Sequence, residues 1–345
     1  MSDQTPDQTP DEMPELTGAP ALKALSPMRH ECHACGHCCH GHRVRLEDAA
    51  EIALVESQAA ALGVANPVEE GALRVENGGC VFLDPDQLCK IHKAFGLTQK
   101  PRVCQQYPLR VSITESGWRV GIDPGCTNNW RSWRSGPVVP IAPLLRPHDN
   151  RRPPDNAEAQ LLYFAAQRGM TIAAMIAQIA EVGGVTSTSD GSDDDLPAGF
   201  AGRLVARLKA MNIARFLAAV AVGDGIRNCL AHLPAAIAAL DPEAPPPWQG
   251  LAADSDAFAL EVLKRHLFLR VGDEPLPDFG QAIVLLSGAV ACAWADPRPE
   301  VFGPALSSWA KAMRHRAFWA SLIPRPETLA WLVTGRRQPA AVGPG

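Results

Sequence analysis

The chain has 345 residues, of which 46% are hydrophobic and 20% are charged, so it is long enough for two domains of ordinary size and is expected to fold as a soluble globule. A formal net charge of −5 argues against a general nucleic-acid or anionic-membrane binder. Eight of the ten cysteines lie between Cys32 and Cys126, so metal binding is the first hypothesis to consider.

The N-terminal segment MSDQTPDQTPDEMPELTGAP is acidic and rich in proline, and it lacks the basic start and apolar stretch of a secretory signal. This composition is typical of a disordered tail, which we assign to residues 1–27. We therefore expect a cytoplasmic protein. Thiols stay reduced in that compartment, and clustered cysteines there favour metal binding over disulfides.

A small, loop-rich, cysteine-rich domain is predicted over residues 28–136. It should contain a helix over 46–63, where apolar residues recur on one face, and a short strand over 80–83. A β-hairpin is predicted over 109–123, because apolar and polar residues alternate on both sides of a Gly-bearing turn. Together with the helices that follow, this predicts an α+β fold.

Residues 137–155 are rich in proline and arginine and are interpreted as a linker. An all-α domain is predicted from there to about residue 340, with an acidic loop over 186–199. The apolar stretch FGQAIVLLSGAVACAWA (279–295) is interrupted by Gln281 and Gly288, and it is typical of a buried helix rather than of a membrane span. The predicted helices are 156–168, 171–182, 199–222, 226–240, 255–271, 279–295, 304–320 and 326–335.

The cysteines of the first domain form two groups along the sequence, and thiolates in such numbers suit Zn²⁺ or an iron–sulfur cluster. Adjacent side chains diverge, so Cys38 and Cys39 are expected to serve different ions or different irons of one cluster. Whether the metal is structural or catalytic stays open. The predicted metal ligands are Cys32, Cys35, Cys38, Cys39, Cys80, Cys89, Cys104 and Cys126.

Other polar residues give weaker signals. Histidines 30, 33, 37, 40 and 42 lie in or beside the first cysteine group and His92 in the second, and any of them could ligate or simply face solvent. A basic neighbourhood around the cysteines could balance thiolate charge. Alternatively, Arg102 and Arg110 could bind an anionic group of a cofactor such as S-adenosylmethionine. Cys229 and Cys292 lie in apolar helical patterns and are expected to be core residues.

Three stretches, CHACGHCCHG, GGCVFLDPDQLCKIHKAFGLTQKPRVCQQYPLRV and GWRVGIDPGC, together resemble the CxxCxxCC zinc- or iron-chelating family of YkgJ-type cysteine-cluster proteins. That family includes flagellin lysine N-methylases. The resemblance covers about residues 28–130 and implies that the eight cysteines are the metal ligands. Pro124-Gly125 precede the last cysteine here, whereas relatives often have Pro-Gly after it. The helices match the methylase members only in layout.

Three functions remain open. The first is a metal-binding cysteine-cluster protein whose helical domain binds a partner or substrate. The second, implied by the resemblance, is a lysine N-methylase that uses an iron–sulfur cluster and S-adenosylmethionine on a flagellin-like protein, and the third is an iron–sulfur redox carrier. The sequence identifies no catalytic residue, because it lacks a P-loop and motifs such as Gly-x-Gly-x-x-Gly opening a βαβ unit. No nucleic-acid or membrane partner is expected.

Overall fold

The structure is a computed structural model. It describes residues 22–25, 28–33, 35–40, 43–139, 147–149, 156–182, 196–211, 213–214, 217, 224–240, 251–271, 278–324, 328 and 332. Several predicted features lie wholly or partly outside these residues, namely the first 21 residues of the tail, most of the acidic loop, His42, parts of the linker and most of the last helix.

The described residues confirm an α+β fold with small sheets in the N-terminal part and mostly helices after it. In the cysteine-rich part, the predicted helix over 46–63 is observed as α1, with Asp48 accepting a hydrogen bond from the Glu51 N–H at its start. The predicted strand over 80–83 is shorter, because its second half forms a turn. The elements are α1 (Ala49–Ala61), β2 (Val68–Glu69), β3 (Ala72–Leu73), β4 (Val75–Glu76), β5 (Gly79–Cys80), α2 (Lys90–Phe95) and α3 (Arg102–Gln106).

The predicted hairpin is confirmed as β6 (Leu109–Thr114) and β7 (Gly117–Ile122), paired from Leu109↔Ile122 to Thr114↔Gly117. It is the centre of a four-stranded sheet in the order β1-β7-β6-β8. Both outer strands are parallel to their neighbours. Strand β1 (Leu22–Ala24) falls in the predicted tail and β8 (Pro147–Asp149) in the predicted linker. The unpaired N–H and C=O groups at the hairpin's edges explain why these short segments form strands.

The helical part follows the predicted pattern, with differences at several helix boundaries. Residues 226–240 and 304–320 each contain a break, at 231–232 and 313–315, where backbone turns separate two helices. The helix predicted from 304 begins earlier, at Pro299, where the missing N–H of a first-turn proline costs no hydrogen bond. The helices are α4 (Asn156–Ala165), α5 (Ile172–Val182), α6 (Leu196–Ala210), α7 (Asp224–Leu230), α8 (Leu233–Ala238), α9 (Ala253–Phe268), α10 (Asp278–Ala295), α11 (Pro299–Ala312) and α12 (Arg316–Leu322).

Helix α10 is the core of the helical part. By length and composition it is the one helix among the described residues that could cross a membrane, but 83% of its apolar window is buried inside the fold. Gly288 lets the Trp309 ring pack directly on its backbone, since a Cβ there would lie 2.4 Å from that ring. This burial agrees with the predicted core helix.

The helices pack directly against the cysteine-rich part. The Ser112 hydroxyl on β6 donates to the Leu269 carbonyl, 2.5 Å away, just after α9. Gly303 on α11 allows close contact with Trp130, because a Cβ there would lie 2.5 Å from the Trp130 side chain. Residues from both parts can therefore contribute to one site.

Candidate metal centre and the adjoining cavity

The CxxCxxCC signature folds as a tight turn. Residues His37–Cys39 form a 3-10 helix, and the Cys39 N–H donates to the Gly36 carbonyl at 2.8 Å. Gly36 has a φ of +70° and lies so close to Gln87 that a Cβ would come within 2.6 Å of its carbonyl oxygen. Glycine is therefore required here both by the backbone conformation and by the close approach of the second loop.

The turn brings Cys38 and Cys39 together. Their sulfur atoms are 3.8 Å apart. Two thiolates bound to one tetrahedral zinc at about 2.3 Å have sulfurs about 3.8 Å apart. The expectation that these neighbouring side chains diverge is therefore wrong, because the 3-10 turn points both sulfurs the same way, and the pair is spaced to share one ion.

Two isolated β-bridges bring the second cysteine group to this turn. His40 bridges Gly79, which places Cys39 and Cys80 next to the same contact. Leu83 bridges Cys89, the residue that begins helix α2. Helix α3 adds Cys104, which lines the same cavity as Cys38, Cys39 and Cys80. These four, with Cys89, form what we call the cysteine cluster.

The thiols of the cysteine cluster influence one another. A hydrogen bond from Cys39 is the main cause that lowers the pKa of Cys38 to about 6, and the pKa of Cys39 is correspondingly raised. Burial raises the pKa of Cys80 to about 11 and that of Cys104 to about 12, and neighbouring thiols add to both shifts. A bound cation would favour the thiolate forms that these buried groups otherwise resist.

Lys100 is a cation that interacts with several thiols of the cysteine cluster. Burial alone lowers its pKa, but Cys104, Cys89 and other thiols raise it by more, so the net shift is upward. Lys100 also lines the cavity beside the cluster. Four thiolates exceed the charge of one divalent ion by two, and the half-buried Lys100 ammonium offsets part of that excess.

Cys35 and Cys126 are neighbours, because the thiols of Cys35 and Cys38 both add to the burial that raises the pKa of Cys126. The Cys35 sulfur is 3.9 Å from the Thr127 hydroxyl, which is 2.7 Å from His37 Nδ1. The Cys229 sulfur on α7 is 4.0 Å from the same His37 nitrogen. Cys229 was expected in the apolar core, whereas it is half-buried and faces this loop. Its apolar sequence context gave no signal of that position, because the contact depends on how α7 packs.

Cys292 is fully buried in α10, as expected of a core residue. Cys32, by contrast, is exposed. Among the described residues, no three His, Cys, Asp or Glu side chains are arranged to hold one ion together. Most of the predicted thiol ligands therefore lie in one neighbourhood. The sulfurs of Cys38 and Cys39 are at the distance expected for a shared ion, and no third described ligand is positioned with them.

The described histidines mostly have other partners. His30 is buried against Asn129 at 3.3 Å, and burial, aided by His33, lowers its pKa to about 4. His40 Nε2 is 2.7 Å from the Gln87 side-chain oxygen. His92 is exposed on α2. These positions favour structural or solvent-facing roles for His30, His40 and His92. His37 differs from them, because its Nδ1 lies 4.0 Å from the Cys229 sulfur.

Helix α11 anchors the cysteine turn. The Lys311 ammonium donates to the carbonyls of His37 and His40, both at 3.0 Å, from a buried position. Burial is the main cause that lowers the pKa of Lys311 to about 8, followed by the nearby Arg314. The helical part therefore fixes the backbone on both sides of Cys38 and Cys39.

A cavity of about 540 Å³ adjoins the cysteine cluster. Its lining combines four cysteines of the cluster with cationic side chains, and Val44, Leu73, Val103 and Leu109 supply apolar surface. Its polar and remaining lining residues are Cys38, Cys39, Cys80, Cys104, Arg43, Arg45, Lys100, Gln106, Tyr107, Arg110, Asp123 and Arg314.

The two arginines predicted to bind an anion lie in different places. Arg110 lines the cavity, 3.8 Å from the Asp123 carboxylate. Arg102 does not line it. Its guanidinium is exposed and pairs with Glu47 and Asp48 at the start of α1. The position of Arg102 at the start of α3 directs it back toward that helix.

Comparison with known families agrees with these observations. A family model described as "CxxCxxCC: Putative zinc- or iron-chelating domain" matches residues 31–124. This part of the chain is therefore similar to the CxxCxxCC domain family. This is the family that the sequence motifs indicated. The matched residues include seven of the eight predicted ligands, and Cys126 lies just beyond them. No curated protein and no solved structure matches the chain.

Proposed function

We propose that the protein binds zinc or iron through the cysteine cluster of its CxxCxxCC domain. The observation that carries this proposal is the pair of sulfurs in Cys38 and Cys39, 3.8 Å apart. The other thiols of the cluster lie close enough to shift the pKa of this pair, and the matching family is described by zinc or iron chelation. Thiolate ligands of this kind suit zinc or iron rather than magnesium or calcium.

In this proposal Cys38, Cys39, Cys80, Cys89 and Cys104 hold the metal, and Lys100 compensates their charge. Cys35, Cys126 and Cys32 remain predicted ligands of a second ion or of a larger cluster. When bound, the metal would supply a Lewis-acidic or redox-active centre. The protein's own contribution is to hold the thiolates in place and to keep a cavity open beside them.

A protein lysine N-methylase is the second candidate. The cavity favours it, because about 540 Å³ falls within the range of small-molecule sites and one wall is formed by the cysteine cluster. Such an enzyme would bind S-adenosylmethionine there and receive a flagellin-like protein substrate at the helical part. A redox carrier would need the iron form of the same cluster. Either function fits a cytoplasmic location, where the thiols stay reduced.

Metal and acid-labile sulfide should be measured on the full chain purified without oxygen. We expect at least one zinc or iron ion per chain, strongly reduced in Cys104→Ser and unchanged in Cys292→Ala, a control cysteine buried in α10. Equal metal content in Cys104→Ser and wild type would contradict the proposed cluster.

Iron with matching sulfide would favour the methylase and the redox carrier over a zinc protein. Addition of S-adenosylmethionine would then separate the two, because only the methylase should bind it. Zinc without sulfide would exclude both as stated.

A further inference from the structure

The cationic wall of the cavity contains more positive charge than its acidic partner neutralises. Arg110 and Arg314 both face Asp123, and Asp123 is the only carboxylate among the lining residues that the structure describes. Arg314 pairs with it closely, whereas Arg110 is 3.8 Å away and forms no hydrogen bond to it. Two guanidinium groups therefore share one carboxylate in a mostly buried place.

Both guanidinium groups also leave a donor unused. The Nε atoms of Arg110 and Arg314 are buried and have no hydrogen-bond partner. A buried donor without a partner costs roughly 1–3 kcal/mol, and such groups are rare in folded proteins. Both arginines line the cavity, so an anion there would supply the missing negative charge.

The thiols raise the pKa of Lys100, but they are not among the causes that shift the pKa of Arg110. Arg110 therefore faces Asp123 and Arg314 rather than the cysteine cluster. The pKa of Arg110 is lowered to about 10, first by burial and then by Arg314, with Asp123 opposing, and it keeps its charge at neutral pH. The arginine pair is thus a separate feature of the cavity.

The rest of the lining indicates the class of ligand. Val44, Leu73 and Leu109 offer apolar contact, and the cluster sulfurs form the other wall. We propose that the cavity binds a small organic carboxylate, with its anionic group on Arg110 and Arg314 and its apolar body against these three side chains. This deepens the proposed function and rests on it in one respect, since the bound molecule would lie beside the metal.

The test uses the full chain as purified and 4-fluorobenzoate as the probe, observed by ¹⁹F NMR, with the neutral 4-fluorobenzamide as the matched compound. We expect saturable binding of the benzoate and binding of the benzamide at least about tenfold weaker, because a charge-assisted hydrogen bond is worth about one factor of ten. Inorganic phosphate should compete only weakly, because it lacks the apolar body, and competition as strong as that of unlabelled benzoate would overturn the proposed ligand class.

Arg110→Met should weaken benzoate binding about tenfold or more. Arg102→Met is the matched control, because Arg102 lies outside the cavity lining, and it should leave binding unchanged. Arg314→Lys keeps the charge while removing the planar fork, so it tests the same wall should Arg110→Met fold poorly. Equal binding of the benzoate and the benzamide, no binding of the benzoate, or full binding by folded Arg110→Met would each overturn the inference.

Metal content is measured on the same samples. Normal metal with failed benzoate binding would reject the anion site alone. If the purified wild-type protein contained no zinc or iron, the proposed function itself would be contradicted.

Discussion

Two small apolar clusters stabilise the cysteine-rich part, whereas one large cluster stabilises the helical part. Among the described residues, the small clusters contain six and five buried apolar residues and the large one contains forty-four. Since hydrophobic burial dominates folding stability, the helical part can support itself in a way that the cysteine-rich part cannot. The difference indicates that the cysteine-rich part depends on the helices packed against it and, under the proposed function, on a bound metal.

Metal removal should separate the two parts most strongly. A structural zinc contributes about 10 kcal/mol to folding, so chelation should abolish amide-exchange protection in α1–α3 while α9–α11 keep theirs. Hydrogen exchange followed by mass spectrometry, with and without chelator, makes this measurement. If chelation removed exchange protection equally from both parts, or from neither, the two parts would not differ in their dependence on metal.

Trp309→Ala tests the large cluster. Trp309 is fully buried, packs edge-on against Phe318 at 4.8 Å, and donates through Nε1 to the Val284 carbonyl at 2.9 Å. The substitution should cost about 4 kcal/mol in the free energy of unfolding, measured by urea titration. Leu54→Ala, at a side chain 42% exposed on α1, is the control and should cost less than about 0.5 kcal/mol. A small effect at Trp309 would contradict the role given to this cluster.

Glu158→Gln tests the contact between the parts. The buried Glu158 carboxylate pairs with Arg119 of the hairpin and with Arg270 after α9. Removing its charge leaves two buried guanidinium groups poorly compensated, and we expect a loss of about 3 kcal/mol. Thermal unfolding of metal-loaded protein measures it. Glu300→Gln on α11 provides the control, and a similar Tm for both variants would argue against the importance of this contact.

Lys311→Met should have a smaller effect on stability and a specific effect on metal. It leaves the His37 and His40 carbonyls without their donor, at a cost of about 2 kcal/mol, and loosens the turn that holds Cys38 and Cys39. Competition with a chromophoric chelator should show weaker metal binding. The exposed Lys93→Met serves as the control. Unchanged metal affinity in Lys311→Met would mean that the turn is positioned without α11.

Local pattern was enough to predict much of the fold. The hairpin over β6 and β7 follows from alternation on both sides of a short turn, and α10 from its apolar content and length. The spacing of the cysteines also identified the family over residues 31–124. All of these signals are contained within short stretches of sequence.

The arrangement of the site could not be predicted in the same way. Arg102 and Arg110 are close in sequence, but one begins a helix and pairs with α1 while the other is on a strand and faces the cavity. The approach of Cys229 to His37 depends on the packing of a distant helix. The turn that holds Cys38 and Cys39 begins at a left-handed glycine, Gly36, which lies against Gln87 of the second loop. Each of these outcomes depends on contacts between residues far apart in the chain.

The Lys311 anchor also bears on when the cysteine turn can take its final form. The carbonyl of His40 and the ammonium that holds it are 271 positions apart. A ribosome therefore completes the CxxCxxCC domain long before it makes the residue that fixes the turn. The thiols of the nascent chain are therefore made before the residue that supports their turn, and we expect stable metal binding only at the end of synthesis or after it.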